Sequence, residues 1–173
     1  KIDIVTLNSE MVFKNDSGYN LNSISNNDNY IVLSLNLSRS EQKLFLYDVK
    51  SNQQVEISDQ AANFSGQNFD KNDENYFYTT NYDSEFYYLM SYNLKNGERS
   101  IVYETDWDVT FSYLSKNDSY RVIAVNEDAQ NKLTITNTSE QSNVDLFGFE
   151  NMNINSVGFS EDEKSVSITG IIL

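Results

Sequence analysis

The chain's only tryptophan stands between two carboxylates, in the segment Asp106-Trp107-Asp108. Residues two apart in a strand point to the same face, so both acids would lie on one side. Glycoside cleavage uses two carboxyl groups about 5 to 10 Å apart. The same segment also suits a solvated turn between two strands with the tryptophan as its apolar anchor. Asp106, Trp107 and Asp108 are therefore candidate ligand-binding residues, although the structural turn is the favoured interpretation.

Nucleophilic catalysis lacks its usual residues. The sequence contains no histidine and no cysteine, so neither a Ser-His-Asp nor a Cys-His arrangement can form. It also lacks the Gly-x-Ser-x-Gly motif of a nucleophile elbow. Ser115-Lys116 is formally a Ser-Lys pair, but it lies in a segment that recurs elsewhere in the chain. We therefore predict no catalytic residue and no hydrolysis of peptides or esters by this chain alone.

Metal ligation is also disfavoured. Zinc would lack its usual His and Cys ligands, and no Asp-x-Asp-x-Asp-Gly loop ending in glutamate offers a calcium site. Four aspartates recur in similar polar segments: Asp28, Asp73, Asp118 and Asp162. Because an aspartate side chain accepts hydrogen bonds from nearby backbone N–H groups, we interpret these residues as turn formers. The sequence predicts neither a metal nor a cofactor.

Aromatic residues are concentrated in the middle of the chain, in Tyr76-Phe77-Tyr78, Phe86-Tyr87-Tyr88 and Tyr92. Such a run is one way to build a stacking platform for a sugar or a peptide. In a strand, however, alternation places half of these rings on each face of the sheet. Core packing is therefore the favoured interpretation.

The four recurring aspartates also define an internal repeat, because they stand 45, 45 and 44 residues apart. A period in the forties is typical of propeller blades or helical arrays. Each unit contains four short runs rich in β-formers, separated by Asn, Asp, Ser and Gly, and none shows helical periodicity. We predict an all-β fold in a single domain, 1–173. Its units are 20–64, 65–108 and 109–150, with 1–19 and 151–173 supplying a composite fourth.

The repeat resembles a known family. Phe159-Ser160-Glu161-Asp162 is similar to the Phe-Ser-Pro-Asp-Gly motif of TolB-like propellers, which also builds the propeller domain of prolyl oligopeptidase family peptidases. No unit has the proline or a glycine directly after its aspartate. The resemblance implies a β-propeller of four-stranded antiparallel blades. In the peptidase family it implies a propeller that covers a separate α/β-hydrolase domain and restricts which peptides enter.

Composition excludes several classes of partner. The net charge of −14 would repel a phosphate backbone, so nucleic-acid binding is disfavoured. No apolar run approaches the length of about 18 residues that a membrane span needs. Because the sequence has no cysteine, its redox chemistry gives no indication of the cellular compartment. The lack of proline and the many asparagines fit a bacterial source, in either the cytoplasm or the periplasm.

The termini suggest self-association. Residues 1–7 alternate between polar and apolar, which predicts a strand, and Met11-Val12-Phe13 predicts a second one. These two would be the outer strands of a unit whose inner strands lie in 151–173. Both ends of the chain have the character of truncation points in a longer protein. We therefore expect strand 1–7 to pair with 165–172, either within one chain or, slightly favoured, between two chains.

Two hypotheses for function remain. In the first, the chain is the non-catalytic propeller of a prolyl oligopeptidase-like serine peptidase that controls access of peptides to a separate hydrolase domain. In the second, it is a TolB-like propeller that binds protein partners. A glycosidase that uses carboxylates is a distant third.

Overall fold

A computed structural model of the chain describes residues 1–149 and 152–172. These residues contain fourteen β-strands and no helix, which confirms the all-β prediction. It follows that they contain no helix able to span a membrane. The strands are β1 Asn20–Ile24, β2 Tyr30–Asn36, β3 Gln42–Asp48, β4 Gln53–Glu56, β5 Phe64–Phe69, β6 Asn75–Thr80, β7 Tyr88–Asn93, β8 Arg99–Tyr103, β9 Asp108–Leu114, β10 Tyr120–Glu127, β11 Gln130–Asn137, β12 Ser142–Asn143, β13 Met152–Phe159 and β14 Val166–Ile172.

The strands form antiparallel sheets in which neighbours in the chain are neighbours in space. Sheet 1 contains β1–β4, sheet 2 contains β5–β8, and sheet 3 contains β9–β12. Sheet 4 is the antiparallel pair β13–β14. The first strands of sheets 1, 2 and 3 contact one another in order, β1 with β5 and β5 with β9, and β13 of sheet 4 contacts β11 of sheet 3. The sheets are thus arranged side by side. The predicted unit of four antiparallel strands is confirmed in sheets 1 to 3.

The core lies between the sheets. Val32, Leu44 and Leu46 of sheet 1 pack against the aromatic side chains of sheet 2, including Tyr76 and Tyr78. The intervening residue of β6, Phe77, points to the opposite face and packs with residues of sheet 3. A strand buried on both faces needs a continuous apolar run rather than strict alternation, which explains the sequence of β6. Tyr76, Phe77 and Tyr78 are at most 6% exposed, so they are core residues and not a stacking platform.

The repeated turn joins the first and second strands of each sheet. In sheet 1 the Asp28 N–H donates to the Ser25 carbonyl, and Asp28 adopts a φ of 61°. Asp73 and Asp118 hold the same place, with φ of 55° and 61°. In sheet 4 this place is taken by Glu163, at φ 54°, and not by the expected Asp162. The structural repeat is therefore 45 residues at every step. The sequence pattern gave 44 for the last step because it followed aspartates, and the equivalent residue in sheet 4 is a glutamate.

Residues 1–7 do not form the expected strand. The Asp3 carboxylate accepts hydrogen bonds from the Val5 and Thr6 N–H groups at 2.9 and 2.8 Å, and the Leu7 N–H donates to the Asp3 carbonyl. Leu7 then turns the chain with a φ of 61°, and Ile2 bridges back to Ser9. A side chain that satisfies nearby backbone donors competes with strand pairing. The alternation of residues 1–7 thus predicted the wrong local structure.

The segment that follows covers sheet 1 without joining it. Val12, Phe13 and Tyr19 pack on Ile31 and its neighbours, on the face of sheet 1 that points away from sheet 2. Met11-Val12-Phe13 is not a strand, and β14 pairs only with β13 among the described residues. The composite unit and the pairing of 1–7 with 165–172 are therefore wrong within one chain. Pairing between two chains stays a prediction.

Candidate functional site

The repeated acidic residues connect neighbouring sheets. The Asp73 carboxylate of sheet 2 accepts hydrogen bonds from the Asn26 and Asn27 N–H groups of sheet 1 at 2.9 and 2.8 Å. Asp118 of sheet 3 accepts from the Lys71 N–H at 2.7 Å, and Glu163 of sheet 4 from the Asn117 N–H at 2.6 Å. Asp28 of sheet 1 instead forms an exposed ion pair with Lys1. The carboxylates of Asp73, Asp118 and Glu163 thus connect neighbouring sheets.

The environment of Asp118 differs from that of Glu163. Burial raises the pKa of Asp118, although the Lys71 N–H and the Arg121 charge oppose this. Hydrogen bonds, the strongest from Ser119, lower the pKa of the more exposed Glu163. Burial also lowers the pKa of Arg121 to about 10, and its guanidinium lies 4.0 Å from the Phe77 ring centroid. Arg121 therefore remains a cation at neutral pH and helps to anchor sheet 3 on sheet 2.

The Ser115-Lys116 pair is structural. The Ser115 hydroxyl is buried and accepts a hydrogen bond from the Tyr120 N–H at 3.0 Å. The Lys116 ammonium is ion-paired with Glu161 of the next sheet. The lysine side chain is thus engaged away from the serine. Among residues 1–149 and 152–172, moreover, acidic side chains form no cluster of three or more that could hold a metal ion.

The structure separates the members of Asp106-Trp107-Asp108. Asp108 Oδ1 accepts a hydrogen bond from the Tyr87 N–H at 3.0 Å and so fixes the start of β9 against sheet 2. Trp107 is half-buried and packs against the cluster between sheets 2 and 3. Asp106 is exposed and lines a cavity. The two carboxylates thus have different surroundings, and Asp108 is already engaged by backbone.

The cavity lined by Asp106 lies where two loops of sheet 2 meet. One loop, 81–87, connects β6 to β7, and the other, 104–107, connects β8 to β9. Both loops are on the side of the sheet opposite to the repeated turns. The cavity has a volume of about 830 Å³. Among the described residues, its lining contains no lysine or arginine and four carboxylates: Asp83, Glu85, Glu104 and Asp106. We call it the acidic-aromatic cavity.

Three aromatic side chains complete the acidic-aromatic cavity, namely Tyr82, Phe86 and Tyr88. The Tyr88 hydroxyl donates to the Tyr82 carbonyl at 3.0 Å, which holds the β6–β7 loop against β7. The Ser84 hydroxyl donates to the Phe86 carbonyl at 2.8 Å, and the Phe86 ring lies 6.3 Å from that of Trp107. Burial raises the pKa of Tyr88, and the negative charges of Asp83 and Glu104 add to the rise.

Most of this cavity was missed in the sequence. Phe86 and Tyr88 belong to the aromatic run whose alternation favours core packing, and Asp83 and Glu85 fall in the polar break before it. The two acids beside two aromatics in Tyr82-Asp83-Ser84-Glu85-Phe86 are nevertheless a visible signal. Asp106 was identified, but with Trp107 and Asp108, which do not line the cavity. The two loops meet because β7 and β8 pair antiparallel, which brings residue 88 beside the end of β8. The amino-acid composition of the two loops does not predict the register of β7 and β8.

Comparisons with known proteins identify the fold. No family model and no curated protein matches the sequence. The structure is similar to that of TolB from Acinetobacter baumannii, with a TM-score of 0.62 and 13% identity over 82% of this chain. The chain has a TolB-like β-propeller fold. The structure is also similar to that of the tricorn protease, with a TM-score of 0.59 and 13% identity over 83% of this chain. A protein described as TolB from Agrobacterium tumefaciens matches 86% with a TM-score of 0.58 and 8% identity.

The propeller spans only part of these proteins. It covers 35% of the Acinetobacter TolB, 14% of the tricorn protease and 64% of the Agrobacterium protein. Each four-stranded sheet is thus a blade. The expected resemblance to TolB-like propellers is confirmed at the level of the fold.

Proposed function

We propose that the chain is a non-catalytic propeller scaffold that binds a protein partner through the acidic-aromatic cavity. The observation that carries this proposal is the cavity itself, a concave site of a volume common for ligand sites, with aromatic walls and acidic residues. Aromatic side chains are enriched where proteins bind one another. Hydrolysis is not part of the proposal, because the sequence lacks the histidine and cysteine of the common nucleophile systems.

The opposite side of the propeller is a weaker candidate. There the carboxylates Asp73, Asp118 and Glu163 accept hydrogen bonds from the neighbouring blade. A partner would have to compete with these contacts. On the cavity side, Glu85 and Glu104 are exposed and free to meet a ligand at little cost in desolvation.

A library of random linear peptides displayed on phage tests this function. Peptides selected on the propeller and remade synthetically should bind it, and Thr105→Tyr, which fills the cavity, should abolish binding. Ser100→Tyr adds the same side chain on an exposed position of β8 outside the cavity, so it is the matched control. No selected peptide, or equal binding to both variants, would contradict the proposal. The same peptides should remain uncut after long incubation.

The propeller of a serine peptidase is a second candidate, and the likeness to the tricorn protease favours it. In this role the chain would restrict which peptides reach a separate hydrolase domain. The coding sequence beyond residue 173 provides the test. A downstream Gly-x-Ser-x-Gly motif followed by an aspartate and a histidine supports it. A reading frame with no such motif rejects it in favour of the interaction scaffold.

A further inference from the structure

We propose that the acidic-aromatic cavity receives the side chain of a lysine or arginine carried on an extended segment of the partner. This inference rests on the proposed function and specifies its ligand. It is carried by the combination of a concave site, an aromatic wall and a set of carboxylates without a counter-charge in the lining. Each of these features favours the same chemical group.

The volume of the cavity accommodates one long side chain together with part of its peptide backbone. A volume of about 830 Å³ is larger than a single water site or ion site and leaves room for an alkyl stem with some of its peptide backbone. The β6–β7 loop that forms one wall is held by its own hydrogen bonds, through Ser84 to Phe86 and through Tyr88 to Tyr82. The wall is thus formed before a ligand arrives, which lowers the cost of binding.

The aromatic wall favours a cation with an apolar stem. Phe86 and Tyr88 line the cavity, and an ammonium or guanidinium group is attracted to the face of an aromatic ring when it lies within about 6 Å of the ring centre. The methylene groups of lysine or arginine would meanwhile cover apolar surface. Ile101 adds an aliphatic contact, since its side chain is 55% exposed and lines the same cavity.

The carboxylates determine the sign of the ligand's charge. Asp83 and Glu85 come from one loop and Glu104 and Asp106 from the other, so the negative charge surrounds the cavity from two sides. The whole chain adds a net charge of −14, which attracts cations from a distance and repels anions. A bare metal ion fits less well, because no three acidic side chains of the described residues lie close enough together to hold one.

The fluorescence of Trp107 reports binding without a label, because it is the only tryptophan and its ring lies 6.3 Å from Phe86. The probe is a peptide with one central lysine flanked by glycines, compared with the same peptide carrying Nε-acetyllysine or glutamate. The lysine peptide should bind at least about tenfold more tightly than the acetylated one. Titration calorimetry gives the same constants independently.

Charge-neutral variants locate the binding. Glu85→Gln with Glu104→Gln should weaken the lysine peptide at least about tenfold. Glu140→Gln with Asp145→Asn removes the same charge from exposed positions outside the cavity and should change affinity less than twofold. Equal weakening by both pairs would mean attraction by net charge alone and would overturn the inference, as would equal affinity for lysine and acetyllysine. Phage-selected peptides whose binding is lost in Thr105→Tyr but which contain no lysine or arginine would support the proposed function and would overturn the inference of a cationic ligand.

Discussion

At the scale of single residues, one acidic side chain in each of sheets 2 to 4 both forms the repeated turn and connects the sheet to its neighbour. Aspartate adopts a positive φ more readily than most residues, because its short polar side chain bonds to nearby backbone. In that conformation the carboxylates of Asp73 and Asp118 reach the turn of the preceding blade. Glu163 shows that the carboxylate matters more than the residue type, since it holds the same place and makes the same kind of bond.

Asp73→Ala should lower the free energy of unfolding by about 3 kcal/mol, because two backbone N–H groups and the Asn26 side chain lose their acceptor. Asp73→Asn should cost less, since asparagine keeps one acceptor oxygen and tolerates the positive φ. Urea denaturation at equilibrium measures both. Glu74→Ala removes an equal charge from the next, exposed residue and should cost at most about 0.5 kcal/mol. A small loss in Asp73→Ala would show that the carboxylate does not hold the blades together.

The carboxylates Glu163 and Asp118 should respond to pH with opposite signs. The pKa of Glu163 is lowered in the fold, so its contribution is present above the ordinary value of 4.5 and is lost as the pH falls through the folded pKa. The pKa of Asp118 is raised above 3.8, so the wild type loses stability as the pH rises through that folded value. From about pH 3 to pH 7, Glu163→Gln should therefore fall further behind the wild type, whereas Asp118→Asn should gain on it.

Urea titrations of the wild type and both variants at several pH values measure these differences. Parallel pH profiles for Glu163→Gln and Asp118→Asn would contradict the different environments described for the two carboxylates.

At the scale of elements, the sequence predicts a strand correctly where both faces are buried and the residues are β-formers. It predicts a strand wrongly where a nearby side chain accepts the hydrogen bonds of the backbone N–H groups. Tyr76-Phe77-Tyr78 could only be a strand of the core, because both of its faces are covered by other blades. Residues 1–7 had similar alternation, but Asp3 bonds to the Val5 and Thr6 N–H groups and folds the segment into a turn. Periodicity records which side chains are apolar and does not record whether a neighbouring strand is present.

Phe13→Ala should destabilise the first blade. Its ring lies 4.9 Å from that of Tyr47 and 6.3 Å from that of Tyr19, and it covers the face of sheet 1 that points away from sheet 2. A half-buried phenylalanine should cost about 1 to 2 kcal/mol on truncation. Thermal unfolding measures the loss, and increased binding of an apolar dye should accompany it. Met11→Ala, a truncation at a side chain that is 77% exposed, is the control. Equal effects of the two variants would mean that the segment does not protect the blade.

Gly66 is required by close packing in β5. A Cβ at this position would overlap the Tyr76 hydroxyl and the Asn22 side chain, which are hydrogen-bonded at 3.1 Å. Gly66→Ala should therefore cost about 1 to 3 kcal/mol. Tyr76→Phe removes one of the overlapping atoms, so the double variant should be at least about 0.5 kcal/mol more stable than the sum of the single changes implies. Simple additivity in urea denaturation would contradict this packing.

At the scale of the whole molecule, the 45-residue repeat predicted the blades, and the resemblance to TolB-like propellers predicted the fold. The site was predictable only in part. Asp106 was identified from its own neighbours, but the loop at 82–86 meets it through the register of β7 and β8, which depends on a one-residue shift between Leu89 and Met90. A shift of that kind follows from packing of the finished sheet and has no separate signal in the sequence.

The docking of blades through the repeated turn is tested most directly by amide hydrogen exchange followed by NMR. The N–H groups of Asn27, Lys71 and Asn117 each donate to a carboxylate of the next blade, so all three should exchange slowly in the wild type. In Asp73→Ala the Asn27 amide should become fast while those of Lys71 and Asn117 stay protected. If all three amides of the wild type exchange at the rate of an unstructured peptide, the blades do not dock through these carboxylates.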